Sequence, residues 1–218
     1  SWRLWRECLH SLAFQTQPRI WASKSTRGGG ITELSLSLEE SRTHLGEKAE
    51  GVYPLYWSEG DAIAVNGVVS NETVIGSNAA TAVFKFNEEV SAPLCVVYPA
   101  SAMATVEGEE AEAPVTAYPV NFLAEQPYTV GTFAPQAAPM YGYTTEGLDV
   151  QLQHLTGVLR FAIKGEATLS SIAITAEKPI AGPFTVDCTN GTLTAGAEAS
   201  NTITVTFGDG LALGAEAT

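Results

Sequence analysis

Apolar and hydroxyl residues alternate one for one through Leu34-Ser35-Leu36-Ser37-Leu38. A two-residue period is the mark of a strand with one face buried and the other in water. Similar short apolar runs recur at Ala62 to Val65, Ala82 to Phe86, Leu94 to Tyr98, Tyr128 to Phe133, Val150 to His154, Val158 to Lys164, Ser171 to Thr175, Pro183 to Asp187 and Asn201 to Phe207. Turn-forming residues separate them: Glu59-Gly60-Asp61, Asn66-Gly67, Ser77-Asn78, Ala181-Gly182, Asn190-Gly191 and Gly208-Asp209-Gly210. No sustained helical repeat follows Ile31, so the chain is expected to be all-β, a sandwich or barrel of many short strands.

Composition sets the outer limits. Of the 218 residues, 45% are hydrophobic, enough for a substantial core. Charged side chains make up 16%, with 24 acidic against 11 basic and a formal net charge of -13. Nucleic-acid binding is not expected, because neutralising phosphates needs clustered Lys and Arg. Nor is a membrane span, since the apolar runs fall well short of the roughly 18 to 20 residues that cross a bilayer.

The charge is uneven. Residues 1 to 30 carry Arg3, Arg6, Arg19, Lys24 and Arg27 against Glu7 alone, while the rest of the chain is strongly acidic. Trp2, Trp5, Leu9 and Leu12 recur there at helical spacing, so this atypical basic segment reads either as a short amphipathic helix or as non-native sequence. It ends in the flexible run Ser25-Thr26-Arg27-Gly28-Gly29-Gly30. The stretch from Ala100 to Pro119, with Glu107, Glu109, Glu110 and Glu112, is expected to be a solvated acidic loop. Cys8, Cys95 and Cys188 are odd in number and widely spaced, which indicates neither a zinc site nor a disulfide framework; Cys95 and Cys188 read as small buried hydrophobes.

Catalytic chemistry finds no frame in this sequence. Its three histidines, His10, His44 and His154, stand in no G-x-S-x-G or H-E-x-x-H context, and there is no P-loop. The pair Glu146 and Asp149 is weak evidence for glycoside hydrolysis, which needs carboxylates facing across a cleft. The expectation is a protein that is not an enzyme, with no catalytic residue, metal or cofactor. Aromatics between Ala117 and Thr144, notably Tyr128, Tyr141 and Tyr143, are candidate ligand-stacking residues for a glycan or host protein.

Three segments in order resemble the fimbrillins, the type V pilins of the Bacteroidales that include the Mfa-like proteins. They are Leu34 to Thr43 followed by Tyr56-Trp57-Ser58-Glu59-Gly60-Asp61-Ala62-Ile63-Ala64-Val65-Asn66-Gly67; Val97-Tyr98-Pro99-Ala100; and Leu152 to Phe161 leading into Leu169 to Ile174. Together they cover roughly residues 31 to 190. The resemblance implies two tandem transthyretin-like β-sandwich domains, residues 31 to 157 and a partial, truncated second domain at residues 158 to 218.

The same resemblance implies a fimbrial subunit or accessory subunit, anchored as a lipoprotein in the outer membrane and exposed at the cell surface, where it supports adhesion. Cys8 lacks the small and apolar residues that precede a lipoprotein cysteine. In such a pilus, a trypsin-like maturation protease cuts after an arginine, the first strand leaves, and a strand of another pilin subunit takes its place. Arg42 is the first candidate for the cut and Arg27 the second; Leu34, Leu36 and Leu38 would line the displaced strand. The alternative is a non-polymerising surface lipoprotein, or a β-sandwich module that binds a glycan or host protein.

Overall fold

The computed structural model describes residues 30–37, 56–77, 79–103, 116–130, 133, 135–159 and 161–214. It is all-β. The strands are β1 (Ile31–Ser37), β2 (Ala64–Val65), β3 (Val68–Val69), β4 (Glu72–Ile75), β5 (Thr81–Val90), β6 (Leu94–Tyr98), β7 (Ala117–Phe122), β8 (Glu125–Pro127), β9 (Met140–Thr144), β10 (Gln153–His154), β11 (Thr168–Thr175), β12 (Gly182–Asp187), β13 (Thr192–Ala195) and β14 (Thr202–Ala212). They form four sheets with the orders β1-β5-β4, β10-β9-β6-β2-β3, β11-β14-β8 and β13-β12-β7. Among the described residues no helix is long and apolar enough to cross a membrane.

The central element is β6. All five of its residues are buried, because the sheet that contains it is covered on both faces. Leu94, Val96 and Tyr98 enter one core with Leu34, Leu36, Phe84 and Trp57; Cys95 and Val97 enter a second core with Val120, Phe184 and Val186. Period-two alternation sends successive side chains to opposite faces, so a continuous apolar run is what a doubly covered strand requires. The β1-β5-β4 sheet closes the first core and the β13-β12-β7 sheet closes the second.

Local chemistry matches the expected turns where the turn residues stand between strands. Asn66 and Gly67 both take positive φ, 52° and 86°, and close the β2–β3 hairpin. The Asn66 side chain donates to the carbonyls of Ser91 and Pro93, both at 2.9 Å, and accepts from the Cys95 amide at 2.8 Å. Asp61 accepts from the Ser58 amide at 2.7 Å and from the Tyr98 hydroxyl at 2.8 Å, tying the Gly60 turn to β6. Trp57 stands edge-on to Phe84 and Tyr98, with ring centroids 5.0 and 5.3 Å away.

Several expectations are corrected. Cys95 and Cys188 are indeed buried, but they are joined as a disulfide across the second core, with Cα atoms 5.8 Å apart. Gly208-Asp209-Gly210 does not end a strand: it lies within β14, where the β11–β14 register shifts between Leu169 and Ser171, so the glycines accommodate a bulge. The strand expected at Tyr128 to Phe133 is not formed by its described residues: the ladder lies upstream, where β8 pairs parallel to β14, and the Tyr128 amide adds a bond to the Thr206 carbonyl at 2.9 Å. Val158 to Lys164 forms no ladder among the described residues, and Val158, Leu159 and Phe161 stay exposed.

The stretch expected to be an acidic loop contains structure at both ends. Ala100 and Ala102 are buried in a 3-10 turn, and β7 starts at Ala117; the glutamates between them lie outside the described residues. Strands β7 and β8 precede residue 157, yet they pair with β12 and β14, so the chain crosses between sheets before that position. No described residue of β8, β11 or β14 is fully buried.

Candidate functional site

Two places were singled out by sequence, and the structure separates them to opposite faces of the central sheet. The first is β1. Among the described residues it is an edge strand with β5 as its one ladder neighbour, paired antiparallel with Leu34 opposite Phe84 and Leu36 opposite Ala82. Strict alternation would put Ile31 and Leu34 on opposite faces. A register shift between Ile31 and Glu33 resolves this, and Ile31, Leu34 and Leu36 all enter the first core at 8%, 1% and 0% exposure.

Burial of a leucine stabilises by roughly 1.5–3 kcal/mol, so Leu34 and Leu36 together hold β1 by several kcal/mol beyond its ladder bonds. Removing the strand would strip β5 of hydrogen-bond partners along one edge and open an apolar trough against Trp57, Phe84 and Tyr98. Such a trough is refilled by another strand carrying apolar residues at alternate positions. Leu38, Arg42 and Arg27 lie outside the described residues.

The second place is a cleft of about 240 Å³ beside the second core, lined by Tyr141, Tyr143, Asp149, Gln151, Gln153, Cys188 and Thr189. Tyr141 and Tyr143 sit two apart on β9 and so share a face. The Tyr141 hydroxyl donates to Gln153 Oε1 at 3.2 Å. Burial, then the nearby Asp187 carboxylate, pushes the Tyr141 phenol above its usual range.

The wall of the cleft is a tight turn after β12. Asp187 accepts from the Thr189 hydroxyl at 2.6 Å, the Thr189 amide at 2.9 Å and the Asn190 side chain at 3.0 Å. The Thr189 hydroxyl and then its amide hold the Asp187 carboxyl below its ordinary range, with Asn190 adding to this. Gly191 follows at φ 72°, and a Cβ there would meet the Tyr141 hydroxyl, so this position needs glycine twice over.

Tyr128 does not join the other two tyrosines. It is half exposed and rests against Phe207, with ring centroids 5.1 Å apart. Of the acidic pair, Asp149 lines the cleft, while Glu146 contributes a backbone carbonyl to the Thr144 hydroxyl. Gln151 and Gln153 were missed by sequence reasoning. Their signal was the alternation Asp149-Val150-Gln151-Leu152-Gln153, which puts three polar residues on the face opposite two core residues.

Comparison with protein-family models, curated proteins and solved structures finds no match to this chain.

Proposed function

We propose that this protein is a fimbrial subunit or accessory subunit of the bacterial outer surface, which assembles by proteolysis-triggered strand exchange and supports adhesion. The observation that carries the reading is β1: the first described strand, at a sheet edge, with Leu34 and Leu36 filling a core made by strands that follow it in the chain. A strand so placed can leave without breaking the ladders among the others, and what it leaves is a strand-shaped acceptor. Two tandem transthyretin-like sandwiches are the architecture this reading assigns to the chain. The Cys95–Cys188 bridge supports an extracytoplasmic location, because disulfides persist in oxidising compartments.

In this reading a trypsin-like protease cuts after Arg42, on the C-terminal side of β1, and the acceptor takes a strand from another pilin subunit; a cut at the second candidate, Arg27, falls before β1 and would leave that strand attached. The test is low-dose trypsin on the full chain, followed by amide hydrogen exchange at Thr81–Val90. The reading expects the β5 amides that bond β1 to lose protection on cleavage and regain it as oligomers form. A β5 that stays protected throughout contradicts it.

A further inference from the structure

We propose that the cleft over β9 and β10 is a binding site for a neutral saccharide, taking one pyranose ring or the end of a glycan chain. Its polar side follows from strand alternation. Val150 and Leu152 are buried in the first core at 0% and 1% exposure, which leaves Asp149, Gln151 and Gln153 on the opposite face, toward the cleft. Tyr141 and Tyr143 lie beside them on β9.

The donor and acceptor inventory selects the ligand. A carboxylate accepts two hydroxyls, and the Gln151 amide both donates and accepts, a pattern suited to vicinal hydroxyl groups, while Gln153 holds the Tyr141 hydroxyl at the edge of the cleft. The half-buried Tyr143 supplies the ring surface that the C–H face of a pyranose covers, while Tyr141, 8% exposed, belongs to the second core beneath it. Among the described residues no Lys or Arg lines the cleft, and Asp149 would repel an anion. One carboxylate is too few for a tightly held cation, and amide lining disfavours an apolar ligand. A cleft of about 240 Å³ is just below the range that holds drug-sized molecules, which fits a single ring.

The walls are held in place before any ligand arrives. Cys188 is bridged to β6, and the Asp187 carboxylate fixes Thr189 and Asn190 through three hydrogen bonds. Preorganised walls lower the ordering cost of binding. The cleft lies on the face of the central sheet opposite the β1 trough, so saccharide binding goes beyond strand exchange and does not depend on it.

The experiment is NMR titration of the full, uncleaved chain with the methyl glycosides of galactose, mannose and N-acetylglucosamine. At least one should shift the Thr189 and Gly191 backbone amides and the Gln151 and Gln153 side-chain amides, with a dissociation constant on the order of 1 mM, as expected for so small a ligand. Asp149→Asn and Gln151→Ala should each weaken that binding by about tenfold, while thermal melting shows both variants folded. Asp149 is exposed, so its variant carries the test even if Gln151→Ala unfolds. The proposal is overturned if none of the three glycosides shifts these amides at about 100 mM, two decades above that constant. It is equally overturned if the shifts map elsewhere, or if folded Asp149→Asn binds like the parent.

Discussion

Removing the Cys95–Cys188 cross-link should cost as much stability as the largest single core truncations in this chain. The two cysteines are 93 residues apart in sequence, and both are buried. In the chain-entropy account, a bridge closing a loop of this size restricts the unfolded chain by about 4–5 kcal/mol at 25 °C. The assay is urea unfolding of Cys95→Ala, Cys188→Ala and the double variant against the parent, each prepared without free reductant. With a urea slope of about 2 kcal/mol per molar, the midpoint should fall by roughly 2 M. The pattern among the variants separates cross-linking from packing. If the bridge dominates, each single variant loses nearly the full amount and the double variant little more. If the two side chains acted only as small buried hydrophobes, the single losses would be small and additive. Midpoints that coincide with the parent's would refute the reasoning.

Other predictions follow from individual residues. Leu36→Ala, at a site with no exposure, should lower stability by about 2–5 kcal/mol in the same unfolding assay, whereas Ser35→Ala on the outward face should leave it nearly unchanged. Gly191→Ala should cost about 1 kcal/mol or more, because it combines a positive φ with a Cβ placed against the Tyr141 hydroxyl; melting temperature reads it out. Burial first, and then the Asp61 carboxylate, pushes the Tyr98 phenol far above its ordinary value of 10.0. The folded state therefore keeps a proton that the unfolded chain releases, so this stabilisation is complete below pH 10 and is lost as pH rises beyond it. Tyr98→Phe should flatten that alkaline decline in a plot of stability against pH.

What the sequence disclosed depended on how many faces of a strand are buried. The alternation at Leu34 to Leu38 and the run Leu94 to Tyr98 were legible because each bears a simple pattern, one face covered in β1 and both in β6. Asn66-Gly67 was legible because two consecutive positive φ values leave few other residues suitable. β7 was hidden by its setting: Ala117-Tyr118-Pro119-Val120-Asn121-Phe122 alternates clearly, but Pro119 and the preceding glutamates suggested a loop. The disulfide could not be read, since cysteines 93 residues apart become neighbours only when β12 folds over β6. The cleft was half legible. Tyr141 and Tyr143 were named for their aromatic rings, whereas Gln151 and Gln153 gain meaning only once Val150 and Leu152 are seen to occupy the core.

Strand exchange makes one outcome decisive. Low-dose trypsin on the full chain, read by mass of the new N-terminus and by size-exclusion chromatography, should show cleavage after Arg42 followed by oligomers that grow with concentration. A trimmed chain that has lost Ile31–Ser37 and elutes as a stable monomer at every concentration would contradict the account.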